Sequence, residues 1–197
     1  MSASPFSVGV RVLGAGTALL VLFVGLGFAL PGTWAAERAA VLSAPPEVVF
    51  SLLERPAAWS AWTAWPDSGL AAGGPERGVG ARLAWDSDDL GSGSFEIVEA
   101  VAATRVRYRV QVQGGSMRTD GTFTLARERA GSRVTWREEG DFGWNPLMGY
   151  WALFMGRAQG RELEKALARL EEATARSPAQ ATPPDTIPGT EAAPAGR

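Results

Sequence analysis

The sequence predicts an α+β domain at residues 35–175, in which an antiparallel sheet of six strands curves around one long C-terminal helix. Three observations predict it. Five strand-like segments follow one another between residues 79 and 139 with short, turn-forming links, which implies hairpins. Two short segments with helical spacing precede most of the strands. A long helical segment with a continuous apolar stripe, able to cover a sheet, follows them.

The composition excludes several classes of chemistry. The 197 residues contain no Cys and no His, which excludes disulfides, Cys/His zinc sites and Ser-His or Cys-His nucleophilic dyads. The net charge of -2 lacks the basic bias of nucleic-acid-binding proteins. Lys165 is the single lysine, and no phosphate-binding loop motif surrounds it. We therefore expect no nucleic-acid partner, no metal and no cofactor, and binding more than catalysis.

An uncharged apolar segment spans residues 12–30, after an N-terminal tail at residues 1–11. As a helix it would cover about 28 Å, close to the ~30 Å thickness of a bilayer's hydrocarbon core. A cleaved signal peptide is the alternative, but its apolar core is usually shorter, and the bulky Trp34 makes a poor cleavage site. Arg11 favours a cytoplasmic N-terminus. We therefore predict a single-pass transmembrane helix and a membrane-localised domain on the extracytoplasmic side.

The first strand and the two small helices are expected before residue 66. Ala35–Ser43 is an Ala-rich strand candidate, and Pro46–Glu54 has apolar residues at helical spacing behind a proline suited to a first helical turn. Pro56 begins the second small helix. That helix carries tryptophans at every third position, Trp59, Trp62 and Trp65. Such aromatic residues either meet a membrane–water interface or pack the small helices onto the long one.

The remaining strands follow a Gly/Pro-rich loop at residues 69–78. Their expected ranges are Val79–Trp85, Ser94–Val101, Arg105–Val112, Met117–Ala126 and Ser132–Glu139. Apolar and charged residues alternate along Arg105–Val112, which predicts one buried and one exposed face. On the exposed face we expect arginines to pair with glutamates, and each such exposed pair contributes little to stability. These residues are Arg105, Arg107, Arg109, Arg133 and Arg137, with Glu96, Glu99 and Glu128.

The final helix is expected to begin at Asn145-Pro146, an N-cap followed by a first-turn proline, and to run to about Ala175. One apolar stripe follows its whole length, and a second apolar face is confined to its first half, so we expect a bend near Gly156–Gly160. Residues 177–197 are rich in Pro, Ala and Thr and lack the apolar content of a core. We predict a disordered tail there.

This order of elements resembles the helix-grip fold of the polyketide cyclase/START-like (SRPBCC) superfamily. Local stretches are also similar, and the resemblance covers about residues 35–175. The stretches are Ser43–Phe50, Trp59–Trp65, Gly131–Trp136, Phe154–Gly156 and Leu163–Leu170. The resemblance implies a sheet wrapped around the long helix and an apolar cavity that holds a hydrophobic small molecule. Its members range from lipid carriers to cyclases and cochaperones, without one shared catalytic motif, so the fold does not decide the function.

The candidate ligand-binding residues are those that alternation and helical spacing direct into this cavity. They are Trp62, Trp85, Phe95, Tyr108, Phe123, Trp136, Glu138 and Met155. Large rings with one polar atom are typical of pockets that orient apolar ligands. The alternative is that these side chains simply fill the core.

Glu138 is a carboxylate on the apolar face, two residues after Trp136. Desolvation there would raise the pKa of its carboxyl group, or an arginine would pair with it. Either arrangement would let Glu138 steer a ligand or move a proton. The alternative is that the strand frays at this end and releases Glu138 to water.

Three functions remain open from the sequence. The leading hypothesis is a membrane-tethered domain that binds a lipid or other hydrophobic small molecule without a catalytic step of its own. The alternatives are a cyclase- or dehydratase-like enzyme with Glu138 and Tyr108 as acid/base partners, and an interaction module like the activators of chaperone ATPases. A cavity free of ionisable groups would favour the first, a buried carboxylate within hydrogen-bond reach of Tyr108 the second, and a filled core the third.

Overall fold

The structure is a computed structural model that describes residues 5–65, 69–87 and 91–176. Besides a short 3-10 helix at Pro56–Ala61, its main elements fall into three helices and seven strands. These are α1 Pro5–Ala29, β1 Thr33–Leu42, α2 Pro46–Leu53, β2 Ala71–Gly73, β3 Arg82–Ser87, β4 Gly91–Val101, β5 Arg105–Val112, β6 Met117–Glu128, β7 Gly131–Asp141 and α3 Pro146–Ala175. The predicted tail at residues 177–197 lies outside the described residues.

The strands form one antiparallel sheet in the order β1-β7-β6-β5-β4-β3-β2. The predicted α+β class and the meander are confirmed, but the predicted count of six strands is wrong. The seventh strand is β2, which lies inside the predicted Gly/Pro-rich loop and pairs Ala71 with Ala84 of β3. Three residues are too few to show an alternation of apolar and polar side chains, so this strand is recognisable only by its pairing with the sheet edge.

Helix α3 lies along β1, with its apolar stripe on the concave face of the sheet. The close approach depends on Gly156, because a Cβ atom there would lie 2.7 Å from the Ala35 carbonyl oxygen. The Asn145 side chain caps the first turn of α3 by accepting a hydrogen bond from the Leu147 N–H at 3.0 Å. The predicted beginning and end of this helix are confirmed.

The small helices close the concave side with a cluster of aromatic side chains. Trp59 and Trp62 are fully buried, and the Trp59 ring lies 4.6 Å from Phe95 and 4.9 Å from Tyr108, measured between ring centroids. The Trp59 indole N–H donates to the Leu53 carbonyl at 3.1 Å, which fixes the ring. Of the two possibilities, packing against the core is therefore observed for Trp59 and Trp62.

Helix α1 begins at Pro5, inside the predicted tail, and its C-terminal end contacts the beginning of α3. The Phe23 and Tyr150 rings stack at a centroid distance of 4.4 Å, and the Tyr150 hydroxyl donates to the Phe23 carbonyl at 2.6 Å. Within the described residues, no helix combines the length and apolar character needed to cross a membrane. The predicted transmembrane helix at residues 12–30 is therefore not supported.

The convex face of the sheet carries the expected rows of opposite charges. Arg105 and Arg107 both pair with Glu99, and Arg133 pairs with Glu128 at 2.8 Å. Arg109 pairs with Asp120 on β6 rather than with Glu96, its cross-strand neighbour on β4. These exposed ion pairs thus lie on the convex side of the sheet, and the aromatic core lies on the concave side.

Candidate functional site

A cavity of about 470 Å³ lies between the concave face of the sheet, the 3-10 helix and α3. Six aromatic side chains form much of its wall: Trp34, Trp59, Trp65, Trp85, Tyr108 and Trp136. Met155, Leu163 and Ala166 of α3 line the opposite side. The exposed Ala64 and Glu162 are also part of the lining, so the cavity opens to solvent beside them. Its size and lining are those of a site for a small apolar molecule.

Glycines on the concave face leave room for three of these rings. Each ring lies over a glycine directly opposite on the neighbouring strand: Trp34 over Gly140, Tyr108 over Gly121, and Trp85 over Gly93. A Cβ atom on any of the three glycines would come within 2.2 Å of the ring. The rings therefore lie flat along the sheet, which leaves space between the sheet and α3.

Glu138 lies on the concave face among these rings, and its side chain is buried. Strand β7 continues to Asp141 and is paired on both sides, with Ala36 of β1 and Gly121 of β6 opposite Glu138. The strand therefore does not fray at this position. The predicted inward orientation of Glu138 is confirmed, and release to water is not observed.

Neutral groups hold the Glu138 carboxylate. The Tyr108 hydroxyl donates a short hydrogen bond to Oε1, and Nε2 of Gln159 donates to Oε2 at 2.6 Å. The Trp136 indole N–H donates to the Tyr108 hydroxyl oxygen at 2.9 Å. Among the described residues, none of the ion pairs involves Glu138. Of the two alternatives for this carboxylate, pairing with an arginine is therefore not observed within the described residues.

Burial shifts the pKa of both acids in this network. Desolvation raises the pKa of the Glu138 carboxyl group, and the hydrogen bonds from Tyr108 and Gln159 oppose that rise only in part. Desolvation also raises the pKa of the Tyr108 hydroxyl well above its ordinary value, and the adjacent Glu138 raises it further. Tyr108 is therefore a neutral donor at physiological pH.

Five of the eight predicted ligand-binding residues line the cavity. These are Trp85, Tyr108, Trp136, Glu138 and Met155. The other three, Trp62, Phe95 and Phe123, are fully buried behind the wall and pack against its rings. Whether the five contact a ligand stays a prediction.

Sequence reasoning missed Trp34 and Gln159 as site residues. Trp34 precedes the predicted first strand, and only the β1–β7 pairing places it opposite Gly140. Gln159 lies in the stretch of α3 interpreted as a bend, where a polar residue carries no signal of burial. A glycine in a strand, together with an aromatic residue one hairpin away, is a pattern that would have indicated the Trp85 and Tyr108 ring sites but not that of Trp34.

No group of three or more acidic side chains in the described ranges is arranged to hold a metal ion. The polar atoms around the cavity are instead the Glu138 network, Thr119, Thr63, and a charged end formed by Glu162 and Arg169. Arg169 is held in place, because its Nε donates to the Trp62 carbonyl at 2.9 Å.

Comparisons with known proteins agree with this architecture. A family model described as polyketide cyclase / dehydrase and lipid transport matches residues 33–175. No curated protein matches the chain.

Solved structures with the same fold come from several sources. A protein from Chromobacterium violaceum is 21% identical with a TM-score of 0.51, covering 73% of this chain and 99% of its own. A protein from Nitrosomonas europaea is 16% identical with a TM-score of 0.52, covering 76% and 97%. The di-domain ARO/CYC protein BexL from the BE-7585A biosynthetic pathway is 14% identical with a TM-score of 0.52, covering 74% and 51%. At these identities the likeness is one of fold.

Proposed function

Because the chain belongs to the polyketide cyclase / dehydrase and lipid transport family, we propose that it binds a lipid or other hydrophobic small molecule in the cavity under α3. The observation that carries this proposal is the open cavity of about 470 Å³, lined mainly by aromatic and aliphatic side chains. An apolar wall of this kind gains free energy when it exchanges water for an apolar ligand. An interaction module with a filled core would lack such a cavity.

The test is to fill the cavity with a large side chain introduced on α3. Ala166 is buried and lines the cavity, whereas Ala168, two residues further along the same helix, is exposed. We expect native mass spectrometry of the full-length protein to detect a co-purifying ligand in the wild type and in A168F, and to detect none in A166F. Thermal melting checks that A166F is folded. A ligand retained in folded A166F at wild-type occupancy contradicts the proposal.

A second candidate function is proton transfer on the bound molecule, as in a cyclase or dehydratase. The observation that favours it is the Tyr108–Glu138 hydrogen bond inside the cavity. A buried carboxyl group with a raised pKa next to a neutral hydroxyl is a suitable acid/base pair, because one group can accept a proton while the other donates. Ligand binding is a step common to both candidates.

The two candidates differ in what happens to the ligand. If the pair catalyses a reaction, the wild-type protein converts its co-purified ligand during incubation, whereas E138Q and Y108F bind it and leave its mass or ultraviolet spectrum unchanged. If the protein is a carrier, the ligand recovered from all three proteins is the same. Mass spectrometry of the extracted ligand distinguishes these outcomes.

A separate proposal concerns localisation: segment 12–30 attaches the domain to a membrane on its extracytoplasmic side. The support is the absence of charged residues in this segment and the exposure of the large apolar side chains on α1. We expect the full chain to stay in the membrane fraction after an alkaline carbonate wash and a chain without residues 1–30 to be released. External protease should digest the domain of the full chain in spheroplasts. Release of the full chain by the wash contradicts the attachment.

A further inference from the structure

The hydrogen-bonding groups that surround Glu138 are joined in one network. The Tyr108 hydroxyl and the Trp136 indole N–H are both engaged within the Glu138 network. The Trp34 indole nitrogen is inaccessible, so Trp34 presents its ring. The Gln159 amide donates to Glu138, which leaves its carbonyl oxygen as an acceptor. Near Glu138 the wall therefore offers aromatic faces and the Gln159 carbonyl oxygen, while the Tyr108 and Trp136 donors are engaged within the network.

Among the residues that the structure describes, Glu138 also has no positively charged partner within the site. Arg38 is on the same side of β1, but it pairs with Glu164 and donates to the Glu37 carbonyl at 2.7 Å. Arg169 follows Gln159 by ten residues, about 15 Å of helical rise, and its Nε is bound to the Trp62 carbonyl. Lys165 pairs with Glu162 at 2.8 Å. Two neutral donors, Tyr108 and Gln159, thus stabilise the carboxylate without neutralising it.

A buried carboxylate surrounded by aromatic faces is complementary to a cation. An ammonium group would donate hydrogen bonds to the free lone pairs of Glu138, and the negative faces of nearby rings would attract its charge. It would also offset the desolvation that raises the pKa of this carboxyl group. A carboxylate or phosphate head group in the same position would meet a like charge.

We infer that the cavity takes a hydrophobic amine, with its ammonium head group bound by Glu138 against the aromatic wall and its apolar part along Met155, Leu163 and Ala166. This inference rests on the proposed function, since it names the ligand class of the same cavity. The three α3 residues lie on the face that lines the cavity. They offer the apolar part a surface without charge.

The test compares three probes with the same ten-carbon chain: decylamine, decanol and decanoate. Binding to the full-length protein at pH 7 is measured by the change in tryptophan fluorescence, with each probe kept below its micelle concentration. We expect decylamine to bind at least tenfold more tightly than decanol, and decanoate to bind most weakly. In E138Q the advantage of decylamine over decanol should disappear. In E172Q, which removes an exposed carboxylate of α3 outside the cavity lining, it should remain.

The outcomes separate this inference from the proposed function. Equal binding of decylamine and decanol, tighter binding of decanoate, or an amine preference that survives in E138Q overturns the amine assignment and leaves hydrophobic binding in place. Failure of all three probes to bind the wild type contradicts the proposed function itself. Decanol binding by E138Q shows that the variant cavity is intact, so loss of the amine preference there reflects the missing charge.

Discussion

Charged side chains have opposite environments on the two faces of the sheet, and three consecutive residues of β7 show both environments. Arg137 and Glu139 point to the convex face, where Arg137 pairs with Glu139 at 2.5 Å and with Glu37 at 3.3 Å. Glu138, between them, points to the concave face and contacts the neutral donors Tyr108 and Gln159. The same residue type is thus an exposed, paired ion on one face and a buried, unpaired acid on the other.

The charged groups on the two faces therefore contribute differently to the free energy of unfolding. Exposed pairs gain little because water already stabilises the separated ions, so their loss costs little. A buried carboxylate costs desolvation free energy, which folding tolerates only when hydrogen bonds or a ligand compensate for it. The comparison teaches that the isolated charge, rather than the rows of paired ones, indicates the functional site.

The largest expected effect concerns the space that keeps the concave face open. In G121A the new methyl group would collide with the Tyr108 ring and displace the hydroxyl that binds Glu138. We expect a loss of about 1–3 kcal/mol in the free energy of unfolding, the usual cost of overpacking. The control is G73A on β2, where no atom lies within 4 Å of the new Cβ. Urea denaturation of both variants is the measurement, and equal stability of the two would refute the steric account.

An effect of intermediate size is expected from pH, because the acids on the two faces should change the free energy of unfolding in opposite directions as the pH rises. The raised pKa of Glu138 means that the folded state holds its proton at pH values where the unfolded state, near pKa 4.3, has released it. Stability from this group is therefore present below about pH 4.3 and is lost as the pH rises through the folded pKa, by up to about 1.4 kcal/mol per pH unit. Relative to E138Q, the wild type should become less stable as the pH rises across this window.

Glu99 on the convex face should show the opposite sign. Hydrogen bonds from Arg105 and Arg107 lower the pKa of its carboxyl group. Its contribution is therefore present above about pH 4.3 and is lost as the pH falls through the folded pKa. Urea denaturation of the wild type, E138Q and E99Q across pH 3–8 measures both slopes. Slopes of the same sign would show that the two faces do not differ in this way.

The smallest expected effect is the loss of one convex-face ion pair. Both side chains of the Arg133–Glu128 pair are more than one-third exposed. A double-mutant cycle with R133A and E128A should give a coupling free energy of about 0.2–1 kcal/mol, decreasing as salt is added. A coupling above the range for exposed pairs, or one that salt does not change, would remove the energetic contrast between the faces.

Most of the architecture could be predicted from the sequence, because the spacing of apolar and polar residues repeats along each strand and helix. Alternation in β5 separates Tyr108 from the arginines on either side of it, and the same alternation in β7 directs Glu138 inward. The Asn145-Pro146 pair predicts where α3 begins. Each of these signals is local, since it depends only on neighbours within a few residues. The short β2 carried no such signal, so the strand count was underestimated.

The make-up of the site could be predicted only in part, because its partners are distant in sequence. Tyr108 bonds to Glu138 across thirty residues, and Gln159 reaches the same carboxylate from another element. Trp62 and Trp136 both have inward positions in the sequence pattern, yet Trp62 is fully buried behind the wall and Trp136 lines the cavity. Which of two inward rings meets a space depends on how the layers pack, which periodicity does not encode.

The sequence by itself therefore determined the strand and helix periods, the charged and apolar faces, and the presence of an acid on the apolar side. Only the tertiary structure decided that this acid has no positive partner among the described residues, that glycines opposite three rings leave a cavity open, and that Tyr108 and Gln159 donate to Glu138. The physical reason is that periodicity follows from backbone geometry within one element, whereas a cavity and its hydrogen bonds depend on distances between elements, which only the packed chain sets.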